Sequence, residues 1–205
     1  MSDGPAATTT SEEKNFMPTN VLVSGAPERI AQVSTVLRDQ DCTVVEVDDL
    51  DAVPAACAKA GAHAFDAYLQ MPAYVAIEGK TALERLHHFY AQGVLARFPA
   101  MNAAVPSLKP GGRITVVAWP LPAEVATDDD IEARRALYRV LAHGAQADGG
   151  DDLVVRVLGS STSAEDIVLA ALGRETIRAA AAESLSGVSY ADWRVELLGL
   201  VSIES

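Results

Sequence analysis

Basic residues are scarce. Lysine and arginine number 16 against 28 aspartates and glutamates, for a net charge of −12 over 205 residues. A surface of that sign excludes nucleic acid and anionic membranes as expected partners. Cysteine is scarcer still, with only Cys42 and Cys57. Two thiols, one in a strand-like and one in a helix-like stretch, make no disulfide framework and read as core thiols of a reducing compartment. No apolar run approaches the roughly 18 residues a membrane span needs, and no signal-peptide pattern is visible, so the expected location is cytoplasmic. Internal repeats are absent. So are Gly-x-Ser-x-Gly, phosphate P-loop and paired-carboxylate motifs. His87 and His88 are adjacent and diverge on a helix, while His63 and His143 stand alone, so no metal site is expected.

Apolar residues are present in quantity, at 49% of the chain. They suffice for one domain with a sizeable core. Residues 1–19 are small, polar and charged without periodicity and read as a disordered tail; residues 20–205 read as a single domain. The most informative stretch runs from Thr81 to Trp119. Leu83, Leu86, Phe89, Tyr90, Val94, Leu95, Phe98 and Met101 recur at helical spacing and predict one long helix to Leu108. Pro110-Gly111-Gly112 is expected to stop that helix and turn the chain. Arg113 to Trp119, β-branched and nearly continuously apolar, reads as a strand covered on both faces.

Strands and helices alternate through the rest. Asn20–Gly25, Cys42–Val47, Phe65–Gln70 and Leu153–Leu158 read as strands. Pro27 suits the first position of a helix running to about Gln40, and Glu28 suits its positive end. Further helices are expected from Leu50 to Lys59, from Ile131 to Ala145 behind the caps Asp128–Asp130, from Ala164 to Gly173 behind Ser163, and from Glu175 to Leu185. Trp193–Leu198 reads as either helix or strand. The alternation predicts an α/β fold: a Rossmann-like doubly wound parallel sheet in three layers.

The order of pieces from about Asn20 to Leu172 resembles the short-chain dehydrogenase/reductase family of NAD(P)-dependent oxidoreductases. The residues that carry the resemblance are Met101–Trp119, whose helix leads through Pro-Gly-Gly into a buried strand, together with Phe65–Leu69 and Arg134–Leu137. The resemblance implies a phosphate loop after the first strand, where this chain reads Ser24-Gly25-Ala26-Pro27-Glu28-Arg29-Ile30-Ala31. Gly25 matches the pattern; Arg29 and Ala31 stand at the other two glycine positions. Asp48 falls at the ribose-binding position, where a lone acid after a strand also serves as a helix cap. The interval from Gly25 to Pro72 holds one strand only, which shortens the fold by about one strand-helix unit relative to the family.

The family's catalytic Asn, Ser, Tyr and Lys fall on Gly93, on Ala118 or Trp119, on Asp130 and on Arg134. Asp130 and Arg134, one helical turn apart, are therefore weak catalytic candidates. No cofactor is expected in this chain, with NAD(P) left to a partner subunit. The expectation is a non-catalytic fold member, partnered by a catalytic paralogue or by itself. Its interface would come from Tyr90, Leu95 and Phe98 on the long helix and Leu137, Tyr138 and Leu141 on the next. A divergent NAD(P)-dependent reductase and a cofactor-independent ligand site in the crevice are the alternatives.

Overall fold

The computed structural model describes residues 19–73, 77–119, 128–174 and 183–184, the side chains of 128–131 and 183–184 excepted. Strand β1 (Asn20–Ser24) leads into α1 (Pro27–Asp39). Pro27 takes the first turn of α1 and Glu28 lies at its positive end, as the sequence predicts; Arg38 lies at its negative end. Ile30, Val33, Ser34 and Leu37 form its buried stripe at helical spacing. Strand β2 (Thr43–Val47) follows, then a 3-10 turn and α2 (Val53–Ala60), then β3 (Phe65–Gln70). Thr19, read as the end of the tail, already belongs to the fold: its carbonyl accepts the Thr43 N–H at 2.9 Å.

The expected long helix is three pieces. A capping box opens α3 (Ala82–His88), with the Glu84 amide donating to Thr81 and the Thr81 amide to the Glu84 carboxylate. A π-helical turn spans Phe89–Leu95, closed by the Ala96 N–H on the Ala91 carbonyl. Then α4 (Arg97–Ala104) runs into a 3-10 turn holding Pro106. Helix stops there, and β4 (Leu108–Val117) begins before Pro110-Gly111-Gly112 rather than after it. Phe65 pairs with Leu108 and Ala67 with Arg113, so Lys109–Gly112 form a bulge within the strand. Gly111 sits at φ +73, and the ion pair of Lys109 with Asp66, at 2.8 Å, holds the bulge to β3.

Helix α5 (Asp128–Gly149) contains Asp128–Asp130 in its own first turn rather than behind them as caps. Strand β5 (Val154–Leu158) and α6 (Ala164–Ala171) complete the alternation, with Ser163 capping the Asp166 amide as expected. Glu183–Ser184 form β6, a short strand antiparallel to β5, where the sequence predicts helix. The rest of that expected helix, Trp193–Leu198 and the tail to residue 18 lie outside the described residues.

The sheet order is β2-β1-β3-β4-β5-β6, parallel throughout except for β6. Side chains alternate between two cores. Leu22, Tyr68, Ile114, Val116 and Val155 face α2, α4 and α5; Val21, Val23, Ala67, Leu69 and Val117 face α1 and α6. Each fully buried large residue contributes roughly 1.5–3 kcal/mol. This is the three-layer Rossmann-like sheet, with two strands where the six-stranded dinucleotide fold has three beyond its switch point. Strand β2 is therefore an edge, and Val45 is 38% exposed on it.

Candidate functional site

In a doubly wound sheet, ligands bind beyond the carboxyl ends of the strands where the winding reverses, here between β1 and β3. The loop after β1 is closed against the loop after β3. The Ala26 N–H donates to the Pro72 carbonyl at 2.7 Å, and the Met71 N–H to the Ser24 carbonyl at 2.7 Å. Gly25 adopts φ +142, and a Cβ there would stand 2.7 Å from the Met71 Cβ. Its glycine thus serves the approach of β3's last turn, whereas a phosphate loop uses glycine to admit a ligand. A pyrophosphate needs free amides at the helix start. Ala26 has given its amide to Pro72, and Pro27 has none. Arg29 is half-buried and lines a cavity of about 60 Å³ with Met71, Pro72, Ser160 and Thr162. That is the volume of about two waters. Asp48 is exposed at the end of β2, beside a separate open groove with Arg38 and Glu46.

On the other face, the positions matched to the family's serine are buried. Ala118 and Trp119 follow β4 and are buried at 8% and 4% exposure. The hydroxyl of Tyr138, on α5, accepts the Trp119 N–H at 3.1 Å and lies 3.5 Å from the Gly93 carbonyl. Arg134 donates through Nη1 to the Trp119 carbonyl at 2.9 Å. The side chain of Asp130 lies outside the described residues, so only Arg134 of the expected pair is placed.

The least expected group is Arg97. It is fully buried. Its Nε donates to the Gly93 carbonyl at 2.6 Å and its Nη1 to the Val117 carbonyl at 2.9 Å, while Nη2 has no partner. The guanidinium carbon sits 5.3 Å from the centroid of the Tyr138 ring, a cation–π contact. A chain of buried polar groups runs from it back to β1. The Gln70 amide nitrogen reaches the Arg97 carbonyl at 3.3 Å and the Tyr68 hydroxyl at 3.0 Å, and Tyr68 pairs with the Ser24 hydroxyl at 2.8 Å. Burial pushes the Tyr68 phenol up to about 12, against the opposing hydrogen bonds from Ser24 and Gln70. The π turn is what makes room: it presents the Gly93 carbonyl to the Arg97 side chain one turn later.

Two expected interface residues are corrected. Tyr138 and Leu141 are each 2% exposed within the chain, because α5 presses both into the core against Trp119, β4 and β5. Tyr90, Phe98 and Leu137 are partly buried against the same core, and Leu95 is 51% exposed. Among the described residues there is no metal-binding cluster, and no helix is long and apolar enough to cross a membrane. Cys42 and Cys57 are free and buried.

No family model matches the sequence. No curated protein is similar to it in sequence. Solved structures do match. The protein lin1944 from Listeria innocua superposes at TM-score 0.56 and 9% identity, over 77% of this chain and 96% of that one. A variant of the Serratia marcescens short-chain dehydrogenase/reductase gives 0.55 at 18% identity, over 76% and 90%. A small-chain dehydrogenase gives 0.57 at 18% identity, over 77% and 90%. The fold is therefore a Rossmann-like α/β fold, the one these short-chain dehydrogenase structures share.

Proposed function

We propose that this chain is a non-catalytic member of the short-chain dehydrogenase fold, serving as a subunit of an oligomer with a catalytic relative that carries the NAD(P). The observation that carries this reading is the hydrogen bond from Ala26 to the Pro72 carbonyl, which ties the loop after β1 to the loop after β3 beside a cavity of about 60 Å³. A second support is chemical. Carbonyl reduction needs an acid beside the hydride donor. The buried phenol of Tyr138 is instead held by Trp119, and Trp119 and Ala118 stand where the family has serine. The Asp130–Arg134 set brings no tyrosine.

A subunit needs only a surface. The exposed side of α3, the π turn and α4 offers Leu83 and Leu95, at 79% and 51% exposure, beside the partly buried Tyr90 and Phe98. The proposed contact lies there, with Leu137 of α5 at its margin and Tyr138 and Leu141 no longer part of it.

Calorimetry of the purified chain with NADH and NADPH tests the first half. No binding is expected, and a Kd near or below about 10 μM, roughly −7 kcal/mol, defeats the reading. Light scattering, alone and with a co-expressed full-length dehydrogenase from the same source, tests the second. A mixed oligomer is expected, split by Leu95→Asp because a carboxylate buried without a partner costs several kcal/mol. A monomer in both preparations sinks the subunit model.

A further inference from the structure

The residual cavity on the α5 side has a character that the closed phosphate loop lacks. It lies at the carboxyl ends of β4 and β5, beneath α5, and measures about 210 Å³. Its described lining includes Arg134 and Arg135 and no carboxylate. We propose that this cavity binds a small aliphatic carboxylate, its anionic head on Arg134 and its short tail against the apolar floor.

Arg134 is half-buried, and its Nη1 is fixed by the Trp119 carbonyl at 2.9 Å. A guanidinium has five N–H donors in a rigid plane, so this one bond orients the fork and leaves others for a carboxylate. Arg135 also lines the wall, but its charge is paired with Glu132 at the exposed side, so Arg134 is the group that meets the anion. Behind the wall stands Arg97. Its charge has no carboxylate among its hydrogen-bond partners and lies 5.3 Å from the Tyr138 ring centroid, and Tyr138 lines the cavity. Charge seated in a dry interior is screened weakly, so its field reaches through the ring.

The floor is Ala118, Val157 and Leu158, at 8%, 8% and 3% exposure. Such a floor strengthens a charged hydrogen bond above it and offers nothing to a second charge. Size sets the rest. The volume equals about seven waters, below the roughly 300–1,000 Å³ of sites for drug-sized ligands. An anion with a short apolar body fits; a nucleotide does not. This inference stands independently of the subunit reading, since it needs neither a partner chain nor a cofactor.

Butyrate is the probe, with butyramide as its uncharged match and inorganic phosphate as the anion without a tail. Binding to the full chain is followed by NMR titration and by thermal shift. Saturable butyrate binding is expected with a Kd near or below about 1 mM. Butyramide and phosphate should bind at least about tenfold more weakly, in keeping with the worth of a charge-assisted hydrogen bond. Arg134→Gln should weaken butyrate to a similar extent, Ala118→Leu should abolish binding by filling the cavity, and Arg38→Gln, on the distant β2 side, should change nothing. The two cavity variants act by different means, so if one fails to fold the other still decides. Equal binding of butyramide, tighter binding of phosphate, wild-type affinity in either cavity variant, or no saturation by butyrate each overturns the proposal.

Discussion

Arg97 donates from Nε to the carbonyl of Gly93, 2.6 Å away and one turn earlier in the chain. This bond sets a buried cation against the π turn and ties both to β4, through the second bond to Val117. Two charge-assisted hydrogen bonds inside the core are worth about 1.5–3 kcal/mol each. Arg97→Ala should therefore destabilise the chain by about 3–5 kcal/mol in a denaturant titration. Arg97→Lys should recover less than half of that, because one ammonium lacks the spread of a guanidinium over both carbonyls. Full recovery by lysine would show that only the charge matters.

Gly25→Ala should cost stability. The residue has φ +142, and the new methyl would sit 2.7 Å from the Met71 Cβ and 2.9 Å from the Pro72 carbonyl oxygen. Left-handed strain and overpacking together predict a loss of about 1–3 kcal/mol. Thermal melts of the variant and wild type decide it. An unchanged midpoint would mean that β1 and β3 do not close as described.

Stability should fall at high pH through Tyr68. Its folded value is raised from 10.0 to about 12. The folded state therefore holds the phenol proton more tightly than the unfolded chain does. The contribution is complete below pH 10 and is lost as pH rises toward about 12, for a total of about 2–3 kcal/mol. Tyr68→Phe should start lower, since Ser24 and Gln70 lose their partner, yet show a flatter decline above pH 10. Parallel declines in the two proteins would contradict this.

The thiols should be silent until the fold opens. Burial pushes both Cys42 and Cys57 up, with a Ser107 hydrogen bond opposing it at Cys57. Raised values and enclosure both withhold thiolate. A thiol reagent at pH 8 should label neither cysteine within the time that denatured protein takes two equivalents. Rapid native labelling of either would mean local opening at α2 or at the start of β2.

Much of the sheet was legible because its signals were local and agreed with one another. Pro27 and Glu28 mark the start of α1, Ser163 marks α6, and short β-branched runs mark β1, β2 and β5. The π turn was not legible, because Gly93 interrupts an apolar stripe that continues in phase on either side. Arg97 was missed for a related reason. An arginine on an amphipathic helix reads as its wet face, and its carbonyl partners are backbone atoms that no side-chain pattern records. Pro110-Gly111-Gly112 was read correctly as irregular and wrongly as a helix stop, since the pairing of Leu108 with Phe65 is a long-range contact. Tyr138 and Leu141 were misassigned to a surface because the family's arrangement suggested one. In the site, Gly25 was legible as a position and not as a role, which is set by Met71, 46 residues later.

The closure between Ala26 and Pro72 has a consequence for anyone redesigning the chain. Glycines placed at positions 29 and 31 would relieve crowding on α1 alone. The first amide would still be committed to the opposite loop, and Met71 would still occupy the gap in front of Gly25. On the proposed reading, installing a nucleotide here means unfastening two strand ends at once, so single-residue substitution works against a latch.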